Sequence, residues 1–329
     1  MFLYLRTMSG GGLQPMDAEH ALQQTQPPDW MLGVPKTSDL TQAAFSRKPL
    51  GVLLALLIML MAGMVVSGFA LSVQGFSSIR RSSSWQSSAA PPLRWSFGEL
   101  ARITFLAVAI ALLLPFVQIA LLAAMPSWKL DVNVWIPVSM LVLDLFVIIA
   151  VLAFAVNKPP SRWALLTHSG RRLSDSVKTG LRSYVTVFPW LILLLVLISW
   201  VARAIGFQPP LEPIHRLLFL EDRAGVLVLT ALLACVIGPI AEEFFFRGVV
   251  YGAIRSRTSR LVAMLISGGL FAVTHTNLMG FLPIGVLGCL LAYLYERTGT
   301  LIASITVHVF HNSLLLAFAM IFRHFTPSG

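Results

Sequence analysis

Charge is what this chain has least of. Only 12% of its 329 residues are Asp, Glu, Lys or Arg, about half the share of an ordinary soluble domain. That scarcity, with 57% hydrophobic residues and a mean hydropathy of +0.80, excludes a water-soluble globular protein. The two cysteines, Cys235 and Cys289, both lie in apolar segments. They offer neither a disulfide framework nor a metal-ligand spacing and read as small buried hydrophobes. The alternating pattern of barrel strands is missing, as are an HExxH spacing and a repeat between the halves of the kind found in many transporters. No nucleic-acid module is present, so the net charge of +10 speaks for basic loops between membrane spans and against a nucleic-acid partner.

What the chain has instead is long apolar runs. Runs of 18 or more residues are the length of a bilayer-crossing helix, and without barrel strands only helices can span lipid. The expectation is an all-α, polytopic, multi-pass membrane protein, a bundle of about eight transmembrane helices set in a plasma or inner membrane if the source is bacterial. The spans read as about 50–73, 103–124, 134–156, 185–205, 224–254, 261–278, 281–295 and 301–322. The fifth is longer than a core of about 30 Å needs and should tilt, break near Gly238-Pro239 or project from the membrane.

Residues 1–48 are rich in Gln, Pro, Gly, Ser and Thr and read as a flexible polar tail. Arg47-Lys48 before the first run imitate a secretory signal, but the run is long enough to be a retained span. Residues 49–205 form an N-terminal set of helices with basic loops, including a Ser-rich linker from Ser77 to Trp95 and an interfacial helix near Leu173–Leu181. Residues 206–329 form a second set. More than half of the Lys and Arg residues fall in loops on one side, which the positive-inside rule makes cytoplasmic and which puts both termini outside. Arg47 and Lys48 argue for the opposite orientation.

Within the fifth run stands Ala241-Glu242-Glu243-Phe244-Phe245-Phe246-Arg247-Gly248. Each charge at bilayer depth costs at least about 2.5–3.5 kcal/mol, so three together need a reason. At about 100° per residue, Glu243 and Arg247 lie about 40° apart on one helix face, whereas Glu242 and Arg247 are about 140° apart. Glu243 can therefore be neutralised by Arg247 while Glu242 points elsewhere, free to act as general base towards a water. His275 closes the sixth run, four residues after Phe271. His308 and Asn312 share a face of the eighth, with His311 beside them. Asp144, isolated in the third run, is assigned to hydrogen bonding between helices.

Glu242-Glu243-x-x-x-Arg247, Phe271-x-x-x-His275 and His308-x-x-x-Asn312, each on its own span, resemble the three motifs of the CPBP family. That family comprises CAAX prenyl endopeptidases of the Ras-converting type and bacterial bacteriocin-processing or Abi proteins. The resemblance covers about residues 226–318 and makes 206–329 the catalytic core. It implies an intramembrane endopeptidase acting on a membrane-associated peptide or protein at the lipid bilayer. It further implies that Glu242 activates water together with His275, that His308 and Asn312 polarise the scissile carbonyl and bind the oxyanion, and that Glu243 and Arg247 are a supporting pair. Glu242, His275 and His308 are also the donors a zinc ion would take, an open question because members of this family are often labelled metalloproteases.

Two other functions compete. The same polar cluster could serve a non-enzymatic transporter, scaffold or immunity protein, since intramembrane Glu and His are equally typical of pumps. A rhomboid-like serine protease would use Ser267 near His275, but the Gly expected two residues earlier is Leu265. Ser267-Gly268-Gly269 reads more simply as a close helix contact.

Overall fold

The computed structural model describes residues 37–79, 93–124, 131–159, 161, 163–167, 172–207, 221–275 and 278–323. The chain divides into two compact units, Met1–Val52 and Leu53–Gly329. The first is described only from Thr37, where helix α1 (Thr37–Ile79) begins, upstream of the start near residue 50 read from hydropathy. Most of the Ser-rich linker and the connection at 208–220 lie outside the described residues.

The described residues are helices and their connections, as the all-α membrane reading requires. After α1 come α2 (Phe97–Ala124), α3 (Val132–Phe154), the short α4 (Ala164–Thr167), α5 (Leu173–Ala204), the composite α6 (Ala224–Arg255), α7 (Arg260–Thr274), α8 (Phe281–Thr298) and α9 (Leu301–Arg323). Six of these, α1, α2, α3, α5, α6 and α9, contain stretches long and apolar enough to cross a membrane. With α7 and α8 they make eight long helices among the described residues. α2 is apolar all round and exposed along nearly its whole length, the pattern of a helix that lipid covers.

Local chemistry sets the helix ends. Ser96 and Glu99 open α2 with a reciprocal capping box, Ser96 N donating to Glu99 Oε2 at 2.8 Å and Glu99 N to Ser96 Oγ at 3.1 Å. Asp131 caps α3 through Asn133 N, and Ser259 caps α7 through Val262 N. α8 ends at Gly299, whose φ of 67° lies in the left-handed region that glycine enters without strain.

The separate interfacial helix expected near Leu173–Leu181 is instead the first part of α5. Ser176, Gly180, Tyr184, Phe188 and Leu191 are all buried, one stripe at steps of four and three residues that carries a single helix through the polar segment. α8 lies at the centre of the bundle, with Leu287, Gly288, Leu290, Leu291 and Ala292 buried, and is packed between α5, α7 and α9. Its contact with α7 is made by glycines: a Cβ on Gly268 would fall 2.6 Å from Cys289 Sγ and 2.8 Å from Cys289 N, so only glycine allows this approach.

α6 is continuous, and Gly238-Pro239 does not break it. Its winding changes instead: π-helical turns at Leu233–Ile237 and Phe244–Tyr251 flank an α-helical segment, Gly238–Glu243, that carries both glutamates. In a π turn the N–H of residue i bonds the carbonyl of i−5, as Gly238 does with Leu233 O. The next such bond would run from residue 239 to Ala234 O. Residue 239 is proline and has no N–H, so that carbonyl is left over.

Candidate active site

Arg247 anchors the site. It is fully buried, with Nη1 3.0 Å from Glu243 Oε1, and Glu243 is fully buried as well. Arg247 Nη2 also donates to Gly288 O at 3.2 Å, tying α6 to the central helix. Its guanidinium lies 4.4 Å from the Phe271 ring centroid, a cation–π contact made away from water. Phe271 in turn packs against the rings of His275, at 4.5 Å, and His308, at 5.5 Å. Phe271 thus transmits the position of the buried ion pair to both imidazoles.

Each histidine spends its Nδ1 on a different acceptor. His275 Nδ1 lies 2.8 Å from Phe271 O. A carbonyl can only accept, so the neutral ring carries its proton on Nδ1. His308 Nδ1 lies 2.9 Å from Glu243 Oε1, a carboxylate already paired with Arg247, which again places the proton on Nδ1. With both rings neutral, their Nε2 lone pairs face Glu242 Oε2, at 3.9 Å from His275 and 3.6 Å from His308. Glu242 Oε2 itself has no hydrogen-bond partner among the described residues. Three acceptors face one another with no donor between them. A water molecule placed there would donate to two of them and leave a lone pair for attack.

Glu242 and His275 open into a cavity of about 620 Å³ that Asn312, Asp144, Thr230 and apolar residues of α2, α3 and α6 also line. Asn312 does not point free. Its Nδ2 donates to Ala234 O at 2.8 Å, the carbonyl that Pro239 leaves over, and its second N–H remains. The residues read from the sequence thus separate into Glu242, His275 and Asn312 on the cavity, His308 buried beside Glu242, and Glu243–Arg247 behind them.

His311 points elsewhere, with Nδ1 2.8 Å from the Tyr184 hydroxyl. Ser267 is fully buried and donates to Phe246 O at 3.2 Å; its neighbour Gly268 makes the close helix contact, so the pattern is one of packing and not of a nucleophile. Among the described residues no hydrogen bond joins Asp144 to another helix; it lines the cavity instead. The role assigned to it from the sequence is corrected accordingly, although its charge in an apolar run was the same anomaly that singled out Glu242.

Zinc is tested by the donor set. Among the described residues no group of three or more His, Cys, Asp or Glu side chains stands together as metal ligands do. No step is routed through the ion.

Comparison with known proteins places the site in context. Residues 224–314 match the family profile described as type II CAAX prenyl endopeptidase Rce1-like. The chain is 32% identical over 88 residues, 27% of its length, to "Putative membrane peptidase YdiL" of Bacillus subtilis (strain 168). It is 36% identical over 74 residues, 22% of its length, to the UPF0177 protein YxdF of Lactococcus lactis subsp. lactis (strain IL1403). An uncharacterised 24.3 kDa protein of Escherichia coli is 27% identical over 137 residues, 40% of this chain. These matches span 36%, 40% and 63% of the relatives' own lengths. No solved structure matches. The family resemblance carried by the three motifs is borne out over residues 224–314, the segment that holds Glu242, Glu243, Arg247, His275, His308 and Asn312.

Proposed function

We propose that this protein is an intramembrane endopeptidase in which Glu242 activates a water for attack on a peptide carbonyl. The observation that carries this reading is the convergence on Glu242 Oε2 of two imidazole Nε2 atoms, each with its Nδ1 committed elsewhere. A water held among these acceptors loses a proton to Glu242 as its oxygen attacks, with His275 fixing its orientation. His308 Nε2, 3.6 Å from Glu242 Oε2, takes up that proton. The imidazolium so formed becomes a donor to the tetrahedral oxyanion, stabilised from behind by the Glu243 carboxylate. The second N–H of Asn312 supplies the other donor. Such donors act strongly where a bound substrate displaces water from the site. On collapse of the intermediate the proton passes to the leaving amine.

The substrate is a membrane-associated peptide or protein. The match to CAAX prenyl endopeptidases supports prenylated chains as one class of it. The test compares membrane proteomes of a deletion strain complemented with the wild type or with Glu242→Gln. New peptide termini should appear only with the wild type. Identical termini in both strains would instead favour a non-enzymatic role for the same cluster.

A further inference from the structure

The peptidase reading uses one end of the cavity and leaves Asp144 unexplained. A carboxylate at bilayer depth costs at least about 2.5–3.5 kcal/mol, yet among the described residues no side chain donates to Asp144 or forms an ion pair with it. Its carboxylate lies against α6: a Cβ built on Gly238 would fall 3.5 Å from Asp144 Oδ2. Gly238 precedes Glu242 by four residues, one helical turn on the same face and a rise of about 6 Å. Further along, Thr230 lines the same cavity. It is 1% exposed, and its Oγ1 has no hydrogen-bond partner among the described residues. Two polar groups therefore face the cavity beyond the reacting centre, and both lack partners.

The sign of the charge narrows what could satisfy them. The described lining residues include two carboxylates, Asp144 and Glu242, and no Lys or Arg. The nearest buried cation, Arg247, is committed to Glu243 and to Gly288 O. An occupant carrying a free carboxylate at this depth would meet two like charges. One carrying an ammonium or guanidinium group would find a counter-ion, and the same pairing would relieve the cost of holding that cation within the membrane.

We propose that Asp144 is a specificity residue that receives a Lys or Arg side chain of the substrate. This rests on the peptidase reading. An extended peptide advances about 3.3 Å per residue, so the helix rise of about 6 Å between Gly238, against which Asp144 lies, and Glu242 places the basic residue about two residues from the bond that is cut. The substrate class is then an apolar membrane-associated segment with a basic residue close to the bond that is cut. Thr230 Oγ1 serves the same segment farther along as a hydrogen-bond partner.

The probe is a set of synthetic apolar peptides about 20 residues long, identical except for Lys, norleucine or Glu placed two residues from a central Ala-Ala bond. Binding is read by fluorescence anisotropy on full-length Glu242→Gln protein in phosphatidylcholine vesicles. The Lys peptide should bind about tenfold more tightly than the norleucine peptide, and the Glu peptide more weakly than either. Adding Asp144→Asn should abolish the Lys advantage, and adding Asp144→Glu should retain most of it. Equal affinities for Lys and norleucine, no binding of the Lys peptide, or a Lys advantage that survives Asp144→Asn would each overturn the assignment. Cleavage of the same peptides by the wild-type protein, read by mass spectrometry, tests the peptidase reading separately. Selective binding without any cut would leave Asp144 as a cation-binding residue and remove the peptidase.

Discussion

His308 Nδ1 stands 2.9 Å from Glu243 Oε1, inside a region that solvent does not reach. This contact joins two residues that the sequence motifs put in different roles. Glu243 is the partner of Arg247, and it is also the acceptor that fixes which nitrogen of His308 faces Glu242. The buried ion pair therefore sets the tautomer of the imidazole as well as the packing of the helices.

Removing one member of that pair should cost more than removing both. Arg247→Met leaves an uncompensated buried carboxylate, a loss of about 3–5 kcal/mol, whereas replacing a whole buried pair with apolar residues is often neutral. The double variant Glu243→Met/Arg247→Met should recover thermal stability and yield relative to Arg247→Met. It should nonetheless remain inactive, because His308 has lost the acceptor for its Nδ1 proton. Melting in detergent, together with counts of new membrane-protein termini, separates the two effects. A double variant that regained cleavage would remove Glu243 from any role beyond neutralising Arg247.

Asn312 and Pro239 should be coupled in stability through Ala234 O. Asn312→Leu leaves that half-buried carbonyl without its side-chain donor, at a cost of about 1–3 kcal/mol. Pro239→Ala restores an N–H where the π turn needs one, so stability lost in Asn312→Leu should return in Asn312→Leu/Pro239→Ala. A double-mutant cycle on melting temperature reads the coupling. Additive effects would mean that Ala234 O is satisfied in another way. Activity should stay low in the double variant, since the second N–H of Asn312 is still missing.

The different facing of the adjacent glutamates was legible from helical spacing alone, because residues four apart share a face and residues five apart do not. The Glu243–Arg247 pair at 3.0 Å obeys that rule even though Arg247 lies in a π turn. Other features were not legible. The hydrophobic pattern that marks a helix does not distinguish α from π winding, so the leftover carbonyl of Ala234 and its bond to Asn312 stayed hidden. The contact of His308 with Glu243 depends on how α9 packs against α6, which no local spacing reports. Asp144 was visible as a charge in an apolar run, but whether it faced a neighbouring helix or a cavity depended on the arrangement of α2, α3 and α6.

The glycine contact between α7 and α8 positions His275, which caps the end of α7. Gly268→Val should force the helices apart, because even a Cβ would fall 2.6 Å from Cys289 Sγ and 2.8 Å from backbone. The overpacking should cost about 1–3 kcal/mol and lower cleavage as His275 shifts from Glu242. Gly269→Ala is the control, since a Cβ there meets nothing within 4 Å; it should keep wild-type melting and cleavage. Equal melting temperatures for the two variants would show that the helices can adjust without loss.

A polar clasp outside the spans should make stability depend on pH. Arg223 bonds Glu221 through Nε at 2.8 Å and Nη2 at 2.7 Å, and reaches Asp131 at 2.6 Å. Asn133 donates to the same Glu221 at 2.8 Å, and Arg323 donates to the Glu221 carbonyl at 2.9 Å. The clasp thus joins the beginnings of α3 and α6 to the end of α9. The Arg223 guanidinium, with the backbone N–H of Arg223 and the Asn133 amide, holds the Glu221 carboxyl well below the usual carboxylate range. A folded-state value below the unfolded one means that the unfolded chain takes up the proton first as pH falls. The stabilisation is therefore complete above the ordinary carboxylate value of about 4.3 and is lost as pH drops from there through the depressed one. Glu221→Gln should melt below the wild type at neutral pH, and the two melting curves should converge at strongly acidic pH. A gap that stayed constant across that range would show that the carboxylate of Glu221 contributes nothing through its charge.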